Sequence, residues 1–102
     1  MDTILETAHF TALQTKYWTE EEYEEFLYFI AAFPESGDLI KGAGGIRKVR
    51  WGSKGKGKRG GVRVIYFYIK PDAQVLLLDI YGKNVKETIS SKELSKLLEL
   101  LK

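Results

Sequence analysis

Residues 46–81 read IRKVRWGSKGKGKRGGVRVIYFYIKPDAQVLLLDIY. Three runs in this stretch, Ile46 to Trp51, Val62 to Ile69 and Val75 to Tyr81, are rich in the β-branched, aromatic and aliphatic side chains that suit a pleated, half-buried surface. Their connections are short. Pro71 and Asp72 supply a turn between the second and third runs, and Gly52 to Gly61 form a longer, basic hairpin loop between the first and second. Strands joined in this way form an antiparallel meander.

Upstream, ILET at residues 4–7 reads as a short strand. A helical segment follows, with Phe10, Leu13 and Tyr17 at i, i+3 and i+7. A firmer helix starts at Thr19. Thr19 with Glu22 forms a capping box, Glu20 to Glu22 suit the positive end of the helix dipole, and Tyr23, Phe26, Leu27, Ile30 and Ala31 share a face. Pro34 and Gly37 end it. Downstream, Ser90 with Glu93 forms a second capping box ahead of Leu94, Leu97, Leu98 and Leu101 at helical spacing. The order β-α-α-β-β-β-α predicts an α+β fold, an antiparallel sheet with helices packed on it, and 102 residues suit one domain spanning 1–102.

Composition excludes several classes of function. Without cysteine there is no disulfide framework, thiol nucleophile or thiolate metal site, and His9, the one histidine, cannot build a histidine cluster. His9 reads as a surface or helix-start residue, and Glu20 to Glu25 as a solvated helix face rather than a metal site. No metal and no cofactor are expected. No apolar run approaches the ~18 residues of a membrane span, and MDTILETAHF lacks the basic start of a signal peptide. The expected location is cytoplasmic.

The net charge of +2 hides an asymmetry. Acidic residues concentrate between Glu20 and Asp38, whereas Gly42 to Arg63 holds eight of the ten glycines and eight of the sixteen Lys and Arg with no Asp or Glu. Lysine and arginine offer counter-charge to phosphates, and glycines let the backbone approach closely. Strand period two puts Lys48 and Arg50 on one face with Ile46, and Arg63 opposite Val62, Val64 and Tyr66. With a suitable register, Lys48, Arg50 and Arg63 converge beside Lys54, Lys56 and Lys58. The run GKGKRGG enters a strand rather than a helix, so it is not a Walker-type phosphate loop. A basic hairpin tracking a nucleic-acid backbone fits better, with Arg47, Arg59 and Asn84 as further RNA contacts. Trp18, Trp51, Tyr66 and Tyr68 read mainly as core. Tyr81, which ends a strand before Gly82 and Lys83, is the aromatic expected to meet a base.

The segments GDLIKGAGGIRKVRW, GKGKRGGVRVIYFY and LLLDIYGKN resemble the RelE superfamily of bacterial toxins, and within it the HigB-like toxins of type II toxin–antitoxin systems. The resemblance spans nearly the whole chain, from LETAHF to the last helix. It implies a ribosome-dependent mRNA endoribonuclease that acts in the A site of the 70S ribosome. It also implies a cognate antitoxin, often a helix-turn-helix DNA-binding protein. In that chemistry the 2′-hydroxyl attacks the adjacent phosphorus in line without metal, leaving a 2′,3′-cyclic phosphate and a free 5′-hydroxyl. The resemblance makes Arg63 the stabiliser of charge on the non-bridging oxygens, and Lys48 and Arg50 the basic pair. Asn84 stands where an arginine is expected, and Ser90 or Thr88 falls near the position of a late catalytic tyrosine, which passes that role to Tyr81 or Lys83. Two other readings stay open: a non-catalytic module that grips rRNA or DNA, and a gyrase inhibitor of the related ParE branch.

Overall fold

The computed structural model describes residues 3–52, 61–70, 72–82 and 89–99. The chain runs β1 (Thr3–Glu6), α1 (Ala8–Tyr17), α2 (Glu20–Ala32), β2 (Asp38–Leu39), β3 (Ile46–Trp51), β4 (Val62–Ile69), β5 (Gln74–Gly82) and α3 (Ser91–Glu99). The strands form one five-stranded sheet in the order β1-β5-β4-β3-β2. The expected meander is present, since β3, β4 and β5 pair antiparallel in turn.

Two features depart from the sequence reading. β1 lies parallel to β5, so the sheet is mixed rather than wholly antiparallel, and the two-residue β2 adds an antiparallel edge beside β3. After the two helices the chain re-enters the sheet at β2, which runs opposite to β1, and three successive antiparallel reversals through β3 and β4 bring β5 back parallel to it. β2 is too short for any periodic signal.

Helix starts were legible in the residues. Thr19 Oγ1 accepts from Glu22 N while Glu22 Oε1 accepts from Thr19 N, and Ser90 with Glu93 makes the same reciprocal pair before α3. α1 begins at a cap of another kind, in which Thr7 Oγ1 accepts from Phe10 N and donates to Leu78 O of β5. That second bond ties the start of α1 to the sheet.

The sheet has helices on both faces. On one, Phe10 of α1, Trp18, and Phe26 and Ile30 of α2 pack on Val49, Val62, Val64, Tyr66, Val75, Leu77 and Ile80. On the other, Leu97 of α3 with Ile89 and Ala43 covers Ile46, Ile65, Leu78 and Tyr81. Trp51 leaves the end of β3 into an aromatic stack, 4.6 Å from the ring of Phe29 and 5.5 Å from that of Phe26.

Tyr66 fastens the link between α2 and β2. Its buried hydroxyl donates to Pro34 O at 2.8 Å and accepts from Gly37 N at 2.9 Å. Only glycine fits at 37, because a Cβ there would sit 2.9 Å from the Tyr66 ring. Burial pushes the phenol above the ordinary tyrosine value, with the Gly37 amide opposing it. The unfolded phenol therefore ionises first as pH rises past about 10. Stability present below that pH is lost above it.

Tyr66→Phe strands the Gly37 amide and is expected to lower unfolding free energy by ~1–3 kcal/mol, read as a lower urea midpoint at unchanged m. The same variant flattens the alkaline fall in stability.

Candidate functional site

Arg50 stands opposite Arg63 across β3 and β4, and Arg63 stands opposite Tyr81 across β4 and β5. These three side chains form one row across the sheet. Lys48 precedes Arg50 by one pleat repeat, on the same face, at a diagonal of roughly 7–8 Å from Arg63. The face is the one that α3 covers, since Ile46, Ile65 and Tyr81 pack there, while Val49, Val62, Val64 and Ile80 point to α1 and α2. The alternation read from the sequence therefore holds along β3 and β4.

Along β5 it does not. Ile65 pairs with Asp79 and the next residue, Tyr66, pairs with Leu77, so Leu78 is an extra residue in the ladder. This β-bulge changes the parity of the strand. Strict alternation from Val75 and Leu77 would send Tyr81 into the α1/α2 core. With Leu78 inserted, Tyr81 crosses to the α3 face and joins Arg63. Asp79 crosses with it.

Asp79 holds the bulge closed. Its Oδ1 accepts from its neighbour's amide, Ile80 N, at 2.8 Å and lies 2.9 Å from His9 Nε2 in the first turn of α1. Sequence reasoning left His9 as a surface residue. It is half exposed, yet it faces a carboxylate that is 8% exposed. The available signal was the lone charge in VLLLDIY, since a carboxylate embedded among aliphatics requires donors.

Exposure is graded along the row. Arg50 is exposed, Lys48 half-buried, Arg63 6% exposed and Tyr81 3% exposed. The expectation that Tyr81 offers an open ring to a base is corrected, because its ring packs with Ile89 and Leu97 under α3. Trp18 and Tyr66 are core, as expected of most of these aromatics. Arg47 does not join the row. It points to the other face, donates to Gly37 O at 2.7 Å and Glu35 O at 3.2 Å, and faces the Glu35 carboxylate at 3.9 Å, which makes it a clamp on the α2–β2 link. Lys54, Lys56, Lys58, Arg59, Lys83 and Asn84 lie outside the described residues.

Arg50 and Arg63 bring two cationic residues to directly facing positions of one ladder. A planar guanidinium fork makes charge-assisted hydrogen bonds well to a phosphate. Chemically, cationic side chains gathered on one face are a set that suits an anion. Across the register, Asp38 of β2 stands opposite Lys48, and Asp79 of β5, one pleat repeat from Tyr81, stands diagonal to Arg63.

No family model matches the sequence. Solved structures share its fold. The E. coli toxin RelE, as a mutant in the free state, superposes with a TM-score of 0.66 over 99% of this chain and 98% of that one, at 14% identity. The isolated E. coli RelE toxin covers 100% of both chains at TM-score 0.61 and 13% identity. A chain of the intact E. coli RelBE toxin–antitoxin complex gives 0.61 over 80% of this chain and 96% of that chain, at 15% identity. The fold is RelE-like.

Asp79→Ala removes the acceptor of a buried amide and is expected to destabilise the protein by ~1–3 kcal/mol, whereas His9→Ala, at a half-exposed position, costs less. Denaturant midpoints of the two variants check the order; equal losses would mean that the imidazole, not the amide, is what Asp79 serves.

Proposed function

We propose that this chain is the toxin of a toxin–antitoxin pair and cleaves mRNA on the ribosome, with the Arg50–Arg63 row gripping the scissile phosphate. The observation that carries the reading is the row itself: two arginines in register on one face, with Lys48 one repeat away. The RelE-like fold supports it, because the E. coli proteins of that fold are named as toxins and one is held in a toxin–antitoxin complex.

In the proposed reaction the RNA 2′-hydroxyl attacks the adjacent phosphorus and the bond to the 5′-oxygen breaks. Products are a 2′,3′-cyclic phosphate and a 5′-hydroxyl once the leaving oxygen takes a proton. Negative charge grows on the non-bridging oxygens as the fifth bond forms. Arg50, exposed at the open end of the row, meets that charge directly, and Arg63 reinforces it from the buried side. Lys48 adds a third cation on the same face. Tyr81, buried against Leu97, is a positioning residue that walls the row and orients Arg63. Lys83 and the basic residues Lys54, Lys56, Lys58 and Arg59, with Asn84, extend the proposed RNA contact in sequence. The proposed antitoxin covers this basic face with an acidic segment, and the toxin acts in the cytoplasm, where ribosomes are.

Induction in bacteria with mapping of 5′-ends on a translated message, and on the same message with its start codon destroyed, tests the reading. Cuts confined to the translated message are expected, falling by about 100-fold in Arg50→Ala and vanishing in Arg63→Ala. Because Arg63 is buried, Arg50→Ala is the decisive variant: undiminished cutting removes the row from the site. Binding without cuts would indicate a nucleic-acid-binding module, and accumulated gyrase–DNA cleavage complexes a gyrase inhibitor.

A further inference from the structure

A cavity of about 330 Å³ opens beside β5, lined by His9, Asp79, Glu93, Lys96 and Leu97. Three elements build it: the first turn of α1, the bulge of β5, and α3. Its volume falls at the lower end of small-ligand sites, and its make-up follows their pattern of apolar wall with a few convergent polar groups. The row uses none of these side chains. Yet the cavity belongs to the same face, because Asp79 and Tyr81 are one pleat repeat apart on β5, about 7 Å, and Leu97 packs with Tyr81.

Resting on the reading of the chain as an RNase, we infer that this cavity receives one unstacked nucleobase of the RNA strand beside the cut, and reads it. Single-stranded RNA is recognised by bases splayed into such sites, stacked on a flat side chain and hydrogen-bonded along their edges. The half-exposed imidazole of His9, held by Asp79, supplies the flat surface. Among the described residues both hydrogen bonds to Asp79 end on Oδ1, which leaves Oδ2 with acceptor capacity for an exocyclic amino group. Lys96 across the cavity is a donor only, and it selects a carbonyl. The base that satisfies both carries an amino group and a carbonyl. Guanine and cytosine do; adenine lacks the carbonyl and uracil the amino group.

The bulge explains why such a site lies here. One inserted residue turns both Tyr81 and Asp79 to the α3 face, so the wall of the phosphate row and the floor of the base pocket come from a single irregularity in β5.

His9 is the only histidine, so its imidazole proton resonance reports on the cavity without assignment of the rest. Titration of the free protein with the four nucleoside 5′-monophosphates is expected to move that resonance saturably. Guanosine and cytidine monophosphates should bind roughly 5- to 150-fold tighter than adenosine and uridine monophosphates. Lys96→Met, an exposed change on α3 that leaves the core intact, and Asp79→Asn should each erase that preference. Equal binding of all four, or of ribose 5-phosphate as well, would overturn the proposal by showing a phosphate site; so would no response at millimolar nucleotide. The two readings fail separately. Message cutting that depends on Arg50 with no nucleotide at His9 sinks the base pocket alone, and selective nucleotide binding with uncut message sinks the RNase reading and leaves a base-reading module.

Discussion

The parity of β5 is the constraint on which the rest of the molecule depends. A strand has two faces and no intermediate choice, so a residue at its far end belongs to whichever side the count of residues dictates. β5 is anchored at its start by the parallel pairing with β1 and at its end by the pairing with β4. Between the anchors it carries one residue too many for strict alternation. The extra residue lets Val75 and Leu77 serve the α1/α2 core while Tyr81 serves the opposite side. Thr7 and His9 both reach the bulge, from the cap and first turn of α1, so the irregularity is braced from outside the strand.

Around that strand, apolar burial and charge are segregated with little overlap. The α1/α2 face is closed by large rings, with Trp18 and Phe26 at 5.0 Å, and it carries the ordinary work of cohesion. The α3 face is apolar only toward one end, at Ile46, Ile65 and Leu78, and ends in Arg50, Arg63 and Tyr81 at the other. At that end the exposure is graded, Arg50 open to solvent and Arg63 and Tyr81 buried.

Much of this was legible in the residues. Helices declared themselves through caps, Thr19 with Glu22 and Ser90 with Glu93, because a cap is chemistry between residues three apart. The faces of Lys48, Arg50 and Arg63 followed from period two, since β3 and β4 are regular. What escaped was non-local. The direction of β1 relative to β5 depends on how many times the chain reverses between them. The burial of Tyr81 depends on α3 arriving over it. The contact between His9 and Asp79 joins residues 70 apart and has no periodic trace. Arg47 looked like one more member of a basic run, and only the geometry of Glu35 and Gly37 shows that it spends its charge inside the fold. VLLLDIY marks the place of the bulge only through Asp79, a poor strand former, and does not say which of its leucines is the extra residue.

The parallel pairing of β1 with β5 also sets the order in which the molecule can come into being. Thr7 finds its partner at Leu78, 71 residues later, and a ribosome making 5–20 residues each second needs roughly 4 to 14 s to deliver it. Throughout that interval the first strand has nothing to pair with, and β3 and β4 can meet only as a hairpin. The arginine row gains its third member with residue 81, near the end of the described chain. During its own synthesis the protein thus stays without a finished row until almost everything else has been made.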